Sequence, residues 1–138
     1  MDNPIFVPNL DSRQQILAGY VELGVQDFVN RGNIIDVELP YNAEIIDGAL
    51  SIVTASDQQT TDTVSVGDTV NATRYLGATS IKQAAGTRAP LVPTGYITTP
   101  ANNKLRFTRA VAGNPATVGT IRIWFSYVKL GQSDFTQG

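Results

Sequence analysis

A chain of 138 residues is long enough for one domain with a real hydrophobic core. It contains no cysteine and no histidine, which excludes disulfides, thiolate ligands, His-ligated zinc and both Ser-His-Asp and Cys-His catalysis. Charged residues make up 16 % against 42 % hydrophobic, with 12 Gly and 7 Pro, a balance that suits an all-β protein with many turns.

The net charge of −2 is unevenly placed. Residues 1–68 carry eleven acids against two bases, a net of −9, and residues 69–138 carry eight bases against one acid, a net of +7. Either the two halves interleave and neutralise each other across adjacent strands, or the surface has an acidic and a basic side suited to contacts between subunits. The basic residues are dispersed and the pI is about 4.9, so no direct nucleic-acid role is expected. No apolar run approaches the roughly 18 residues of a membrane span. The start, MDNPIFVPNLDSRQQ, lacks the basic and long apolar stretches of a secretory signal. The expectation is a soluble protein made in a cytoplasm, with no membrane contact.

Residues 1–15 read as an extended arm, because Pro4 and Pro8 forbid a continuous helix and push Asn3 and Val7 toward extended geometry. Ile5, Phe6 and Val7 would be poorly placed in water, which makes them the candidate partner contact. Residues 16–138 form the single domain. Within it, Leu17, Tyr20, Val21, Val25 and Phe28 approximate a helical stripe, but Gly19 and Gly24 would each cost a helix interior about 1 kcal/mol. Val21, Leu23 and Val25 alternate, so a strand over 18–29 is favoured, turning through 30–33 into a hairpin with the next.

Residues 33–39 alternate clearly, with Ile35, Val37 and Leu39 inward and Asp36 and Glu38 outward. After a turn at Pro40-Tyr41-Asn42, EIIDGALSIVTA over 44–55 is apolar on both faces, with Ile46, Leu50 and Ile52 on one side and Ile45, Ala49 and Val53 on the other. That pattern predicts a central strand. DQQTTD over 57–62 reads as a polar loop, Val64 and Val66 as a short strand, and 69–86 as irregular strands around Tyr75, Leu76 and Ile81. Pro90 and Pro93 predict a surface loop over 87–94. Residues 95–99 and 104–109 are expected to pair across 100–103. The last strand, GTIRIWFSYVKL, puts Ile121, Ile123, Phe125 and Tyr127 on one face and Thr120, Arg122, Trp124, Ser126 and Val128 on the other. Seven or eight short strands with turn-rich connections predict an all-β antiparallel β-sandwich, jelly-roll-like or a related Greek key, with a barrel as the main rival.

No residue set stands out as catalytic, and no cofactor or metal is expected. Asp36 and Glu38 lie two apart on one strand face, roughly 7 Å by strand rise, within the separation of glycosidase carboxylates, but a solvated strand face looks the same. Asp57, Asp62 and Asp68 lack the spacing and central Gly of a calcium loop and read as solvated loop acids. Asn71-Ala72-Thr73 matches a glycosylation acceptor that a cytoplasmic product would not use. Gly67 reads as permitting a turn or bulge. Trp124, Tyr75, Tyr96 and Phe125 could stack on sugar rings, or belong to the core and its cover.

Three features taken together carry a resemblance: Leu39-Pro40 ahead of Ala43-Glu44-Ile45-Ile46; Val66-Gly67-Asp68 with Arg74-Tyr75-Leu76 after it; and a terminal strand ending near Tyr127. Over residues 20–130 the chain resembles the small β-sandwich virion proteins of tailed bacteriophages, particularly capsid decoration or cement proteins. The resemblance implies a non-enzymatic, usually trimeric protein on the outside of the capsid, often at three-fold points, where it braces the shell. Its partners would be the major capsid protein and copies of itself, and its location the virion. It carries over no individual binding residue. The alternatives are a receptor- or carbohydrate-binding module of a phage tail or fibre and, less favoured, a hydrolase using Asp36 and Glu38.

Overall fold

The two halves of the chain run against each other, strand by strand, from the outside inward. The computed structural model describes residues 16–130, so Ile5, Phe6 and Val7 and the expected arm lie outside the described residues. The elements are β1 (Ile16–Gly24), α1 (Val25–Asn30), β2 (Ile34–Glu38), β3 (Ala43–Thr54), β4 (Thr61–Gly67), β5 (Leu76–Ser80), β6 (Arg88–Pro90), β7 (Lys104–Ala112) and β8 (Thr120–Lys129). β1 pairs with β8, β2 with β7, β3 with β6 and β4 with β5, all antiparallel. Two further pairings, β3 with β8 and β4 with β7, complete sheets of order β1-β8-β3-β6 and β2-β7-β4-β5. Two four-stranded antiparallel sheets in this order form a jelly-roll sandwich.

The core lies between the sheets. Leu23, Ile45, Leu50, Ile52, Ile121, Ile123 and Phe125 come from the first sheet, and Ile35, Val64, Val66, Leu105 and Phe107 from the second. β8 sits between β1 and β3, and its alternation is the one expected: Ile121, Ile123 and Phe125 are buried and Tyr127 half-buried. Gly19 lies opposite Phe125 on β1, and a Cβ there would collide with the end of the phenyl ring. The residue is Gly because the ring occupies the space a side chain would need.

Five expectations are corrected. β1 ends at Gly24 rather than continuing to 29, and β1 and β2 are not a hairpin, since they belong to different sheets. VQDFVN instead makes one short helix that carries the chain from one sheet to the other. Val25 and Phe28 fall one helical turn apart and are both buried, while the Gly24 N–H donates to Asp27 Oδ2 at 2.8 Å. Gly32 and Asn33, both with φ of 67°, then redirect the chain into β2. In β3, the register against β8 shifts between Ile45 and Asp47, a bulge at Ile46. Ile45 therefore joins Leu50 and Ile52 on the inner face, and the division of apolar residues drawn from strict alternation fails there.

Residues 88–90, expected as loop, form the edge strand β6 on β3, where Pro90 is tolerated because the strand has a neighbour on one side only. Residues 95–99 do not pair with 104–109. β7 runs between β2 and β4, and the 95–99 stretch makes only the isolated bridges Glu44–Ile97 and Thr99–Asn102.

Candidate functional site

The outward acids of β2 each face a base. Asp36 accepts two hydrogen bonds from Arg106, Nε to Oδ1 at 2.8 Å and Nη2 to Oδ2 at 3.0 Å, and Glu38 lies opposite Lys104 in register. The Arg106 hydrogen bonds hold the Asp36 carboxyl below its ordinary value, helped by the charges of Arg106 and Lys104. A general acid needs the opposite shift.

Asp57, Asp62 and Asp68 are not brought together, and two of them are not solvated. Asp62 lies on β4, fully buried, and takes a two-pronged ion pair from buried Arg109 on β7, Nε to Oδ1 at 2.8 Å and Nη2 to Oδ2 at 2.7 Å. Ser56 Oγ donates to the same carboxylate at 2.5 Å, and Gln58 Oε1 accepts from the Ala116 N–H at 2.9 Å while its amide donates to the carbonyls of Ala112 and Gly113. This network ties the connections 55–60 and 113–119 to each other and to β4 and β7 at one end of the sandwich, and leaves no member without a partner. Asp68, also buried, accepts from the N–H groups of Val70 and Asn71 and pairs with Arg74, whose guanidinium lies 3.8 Å from the centre of the Tyr96 ring. Burial alone would raise the Asp68 carboxyl, but these donors outweigh it and hold it down. Asp57 remains a surface acid. The Thr117 hydroxyl and the N–H groups of Val118 and Thr117 lower it to about 2. Among the described residues no group of three His, Cys, Asp or Glu side chains could hold a metal ion.

Asn71 of the acceptor triplet is exposed and takes hydrogen bonds from the Thr73 N–H and hydroxyl. Gly67 is held by crowding rather than by a turn angle, because a Cβ there would strike the Asn71 carbonyl and Ala72.

The aromatic candidates are dispersed. Tyr75 and Phe125 are core residues, and burial pushes the Tyr75 hydroxyl up to about 12. Tyr96 sits under Arg74 with its hydroxyl bonded to the Asn102 amide at 2.8 Å. Trp124 alone lies on an outer sheet face, beside exposed Tyr20 in register, with Arg88 over its ring and Arg122 over that of Tyr20.

The outer surfaces differ in character. The face of the β2-β7-β4-β5 sheet carries the crossed charges Asp36, Glu38, Lys104 and Arg106. The two ends differ more. One holds α1 and the connections 55–60, 81–87 and 113–119, with Asp27, Arg31, Asp57 and Lys82 among them. The other is built from 39–42 (LPYN), 69–73 (TVNAT) and 91–103 (LVPTGYITTPANN), which contain no charged residue at all. Among the described residues, five of the ten exposed large apolar side chains lie at this second end: Ile16 (70 % exposed), Tyr41 (50 %), Val70 (76 %), Val92 (60 %) and Ile97 (41 %).

These loops are cross-braced rather than loose. Thr98 Oγ1 donates to the Pro40 carbonyl and accepts from the Ala43 N–H, Asn103 donates to the Leu39 carbonyl at 2.8 Å, Thr69 bonds Asn102 at 2.9 Å, and the Val92 N–H reaches the Tyr75 carbonyl. The signal for this end was present in the sequence as charge-free stretches, but only the fold shows that they meet.

No protein-family model matches the sequence, and no curated protein matches it. Among solved structures, a chain of the cyanophage Pam1 capsid asymmetric unit is similar with a TM-score of 0.68 at 22 % identity, over 93 % of this chain and 91 % of that one. A chain of the capsid of Ralstonia phage GP4 is similar with a TM-score of 0.57 at 17 % identity, over 92 % and 91 %. The likeness at these identities is one of fold, and it spans nearly the whole of each chain.

Proposed function

We propose that this protein is a non-catalytic structural component of a phage virion that binds the outer surface of the capsid and braces the shell, as a trimer. The observation that carries this reading is that the same sandwich recurs, end to end, in chains of two phage capsid structures. The surface chemistry agrees with it. On β2, Asp36 is paired with Arg106 and Glu38 lies opposite Lys104, whereas the cross-braced loops of one end carry no charge of their own, with Lys129 lying over the Tyr41 ring at their edge. Charge depletion at the centre of a contact surface is the compositional mark of protein interfaces. Many modest contacts repeated over a lattice, with subunits linked to one another, give strong retention through avidity.

Light scattering of the purified protein is expected to give three times the 14.8 kDa chain mass, and the protein is expected to co-sediment with shells that lack it. A stable monomer that ignores such shells overturns the reading.

A second reading, a sugar-binding module of a tail or fibre, draws on Tyr20 and Trp124 side by side on one sheet face. Arg122 and Arg88 already lie over those rings, so a sugar would have to displace both guanidiniums. Glycan-array binding accompanied by a change in Trp124 fluorescence would favour this reading over the first.

A further inference from the structure

We propose that the outer face of the β1-β8-β3-β6 sheet binds the same face of a second copy, the two copies being related by a two-fold axis that runs along the strands. The contact goes beyond the virion reading and does not depend on it. On a shell it ties one trimer to the next.

Strand register sets two rows of side chains across this face. One row is Glu22, Arg122, Ser51 and Arg88, and the next is Tyr20, Trp124, Ala49 and Pro90. Both rows point away from the core, since Leu23, Ile121, Ile123, Leu50 and Ile52, which alternate with them along the strands, are buried. Tyr20, Glu22, Arg88, Pro90 and Arg122 are exposed and Trp124 is half-buried. Tyr, Trp and Arg are the residue types that carry most binding energy at protein interfaces. Arg88 is also without a counter-charge. Among the described residues no carboxylate lies within ion-pair distance of it, whereas Arg74, Arg106, Arg109 and Arg122 each have one.

The face is complementary to itself. A two-fold axis along the sheet midline, between β8 and β3, lays β1 of one copy over β6 of the other and β8 over β3. Glu22 then faces Arg88 of the second copy, Tyr20 faces Pro90, and the two Trp124 rings lie beside the axis. Each contact off the axis is made twice, as an isologous interface requires. Stacked sheets lie about 10 Å apart, with their strands rotated by about 30°. β1 and β6 are one and a half strand spacings, roughly 7 Å, from the midline, so that rotation shifts them by roughly 4 Å. Glutamate and arginine side chains span such a shift. The charge match of the face with itself makes a second copy the occupant.

The test is sedimentation of the full chain from about 0.01 mM to about 1 mM, with acrylamide quenching of Trp124, the single Trp of the chain. Wild-type mass is expected to rise with concentration while Trp124 becomes shielded. Glu22→Arg and Arg88→Glu each place like charges opposite one another and are expected to weaken association about ten-fold. The double variant Glu22→Arg/Arg88→Glu, and an equimolar mixture of the two single variants, should recover it to within about two-fold, because opposite charges face each other again. Both positions are exposed, and circular dichroism checks that each variant is folded. Mass independent of concentration, association indifferent to either reversal, or single variants that neither the double variant nor the mixture rescues overturns the inference. Rescue with Trp124 still open to quencher also overturns it, since β1 and β6 would then be meeting edge to edge. The mass at the dilute end, three chains or one, tests the trimer reading by itself, so each can fail without the other.

Discussion

Arg109 and Asp62 show how much one pair can carry in a protein with no covalent cross-link. Both are buried, and each is the other's main partner. Arg109→Met leaves the Asp62 carboxylate buried without its counter-charge and is expected to cost about 3–5 kcal/mol, while Asp62→Leu/Arg109→Met together should recover much of that loss. Urea unfolding of the single and double variants checks this; a double variant as unstable as the single would mean that the pair matters through shape rather than charge. The depressed carboxyls of Asp36, Asp57 and Asp68 set the acid limit. Because their folded values lie below the ordinary 3.8, the stability they contribute is present above that pH and lost as pH falls through the folded values, toward about 2 for Asp57. Tyr75 acts at the other limit. Its folded value, raised from 10.0 to about 12, means stability is retained below pH 10.0 and lost as pH rises toward 12. Thermal unfolding across pH should show both shoulders, with Tyr75→Phe removing the alkaline one.

At the scale of the strand, Gly19 and Phe125 make a sharp prediction. Gly19→Ala must push the buried ring aside and is expected to destabilise by about 1–3 kcal/mol. A companion Phe125→Leu should relieve part of that cost, read by the same unfolding curves. The strands that could be read from sequence were β8, through Ile121, Ile123 and Phe125, β2, through Ile35 between outward neighbours, β7, through inward Leu105 and Phe107, and β3, as a central strand apolar on both faces. What hid the others has physical causes. The bulge at Ile46 breaks the two-residue period near the start of β3 and so hides which side chains face inward there, Pro90 disguises an edge strand, and Asp62 looks like loop because its counter-charge lies 47 residues away. α1 was half visible, since Val25 and Phe28 have helical spacing, but the alternation of Val21 and Leu23 ran into it without a break. The loop end was present only as missing charge, a signal without location until the connections are placed.

For the whole molecule, the charge asymmetry of the two chain halves has a plain explanation. With β1 on β8, β2 on β7 and β4 on β7, the acids of the first half meet the bases of the second: Glu22 with Arg122, Asp36 with Arg106, Glu38 with Lys104 and Asp62 with Arg109. Of the two readings open from sequence, mutual neutralisation across strands is the one the fold adopts. The same nesting makes the pairings distant in sequence, 100 residues for Glu22 and Arg122. Folding should therefore be slow, in the range of milliseconds to seconds, and stopped-flow refolding in the microsecond range would contradict this.

The placement of β8 between β1 and β3 carries a consequence for biosynthesis. While the ribosome still holds the last strand, β1 has no neighbour and β3 has only the three-residue β6 beside it. A nascent or prematurely terminated chain can pair β2, β7, β4 and β5, but their inner face then lacks Ile121, Ile123 and Phe125 to cover it, and cellular proteases would meet an open half-sandwich until β8 arrives.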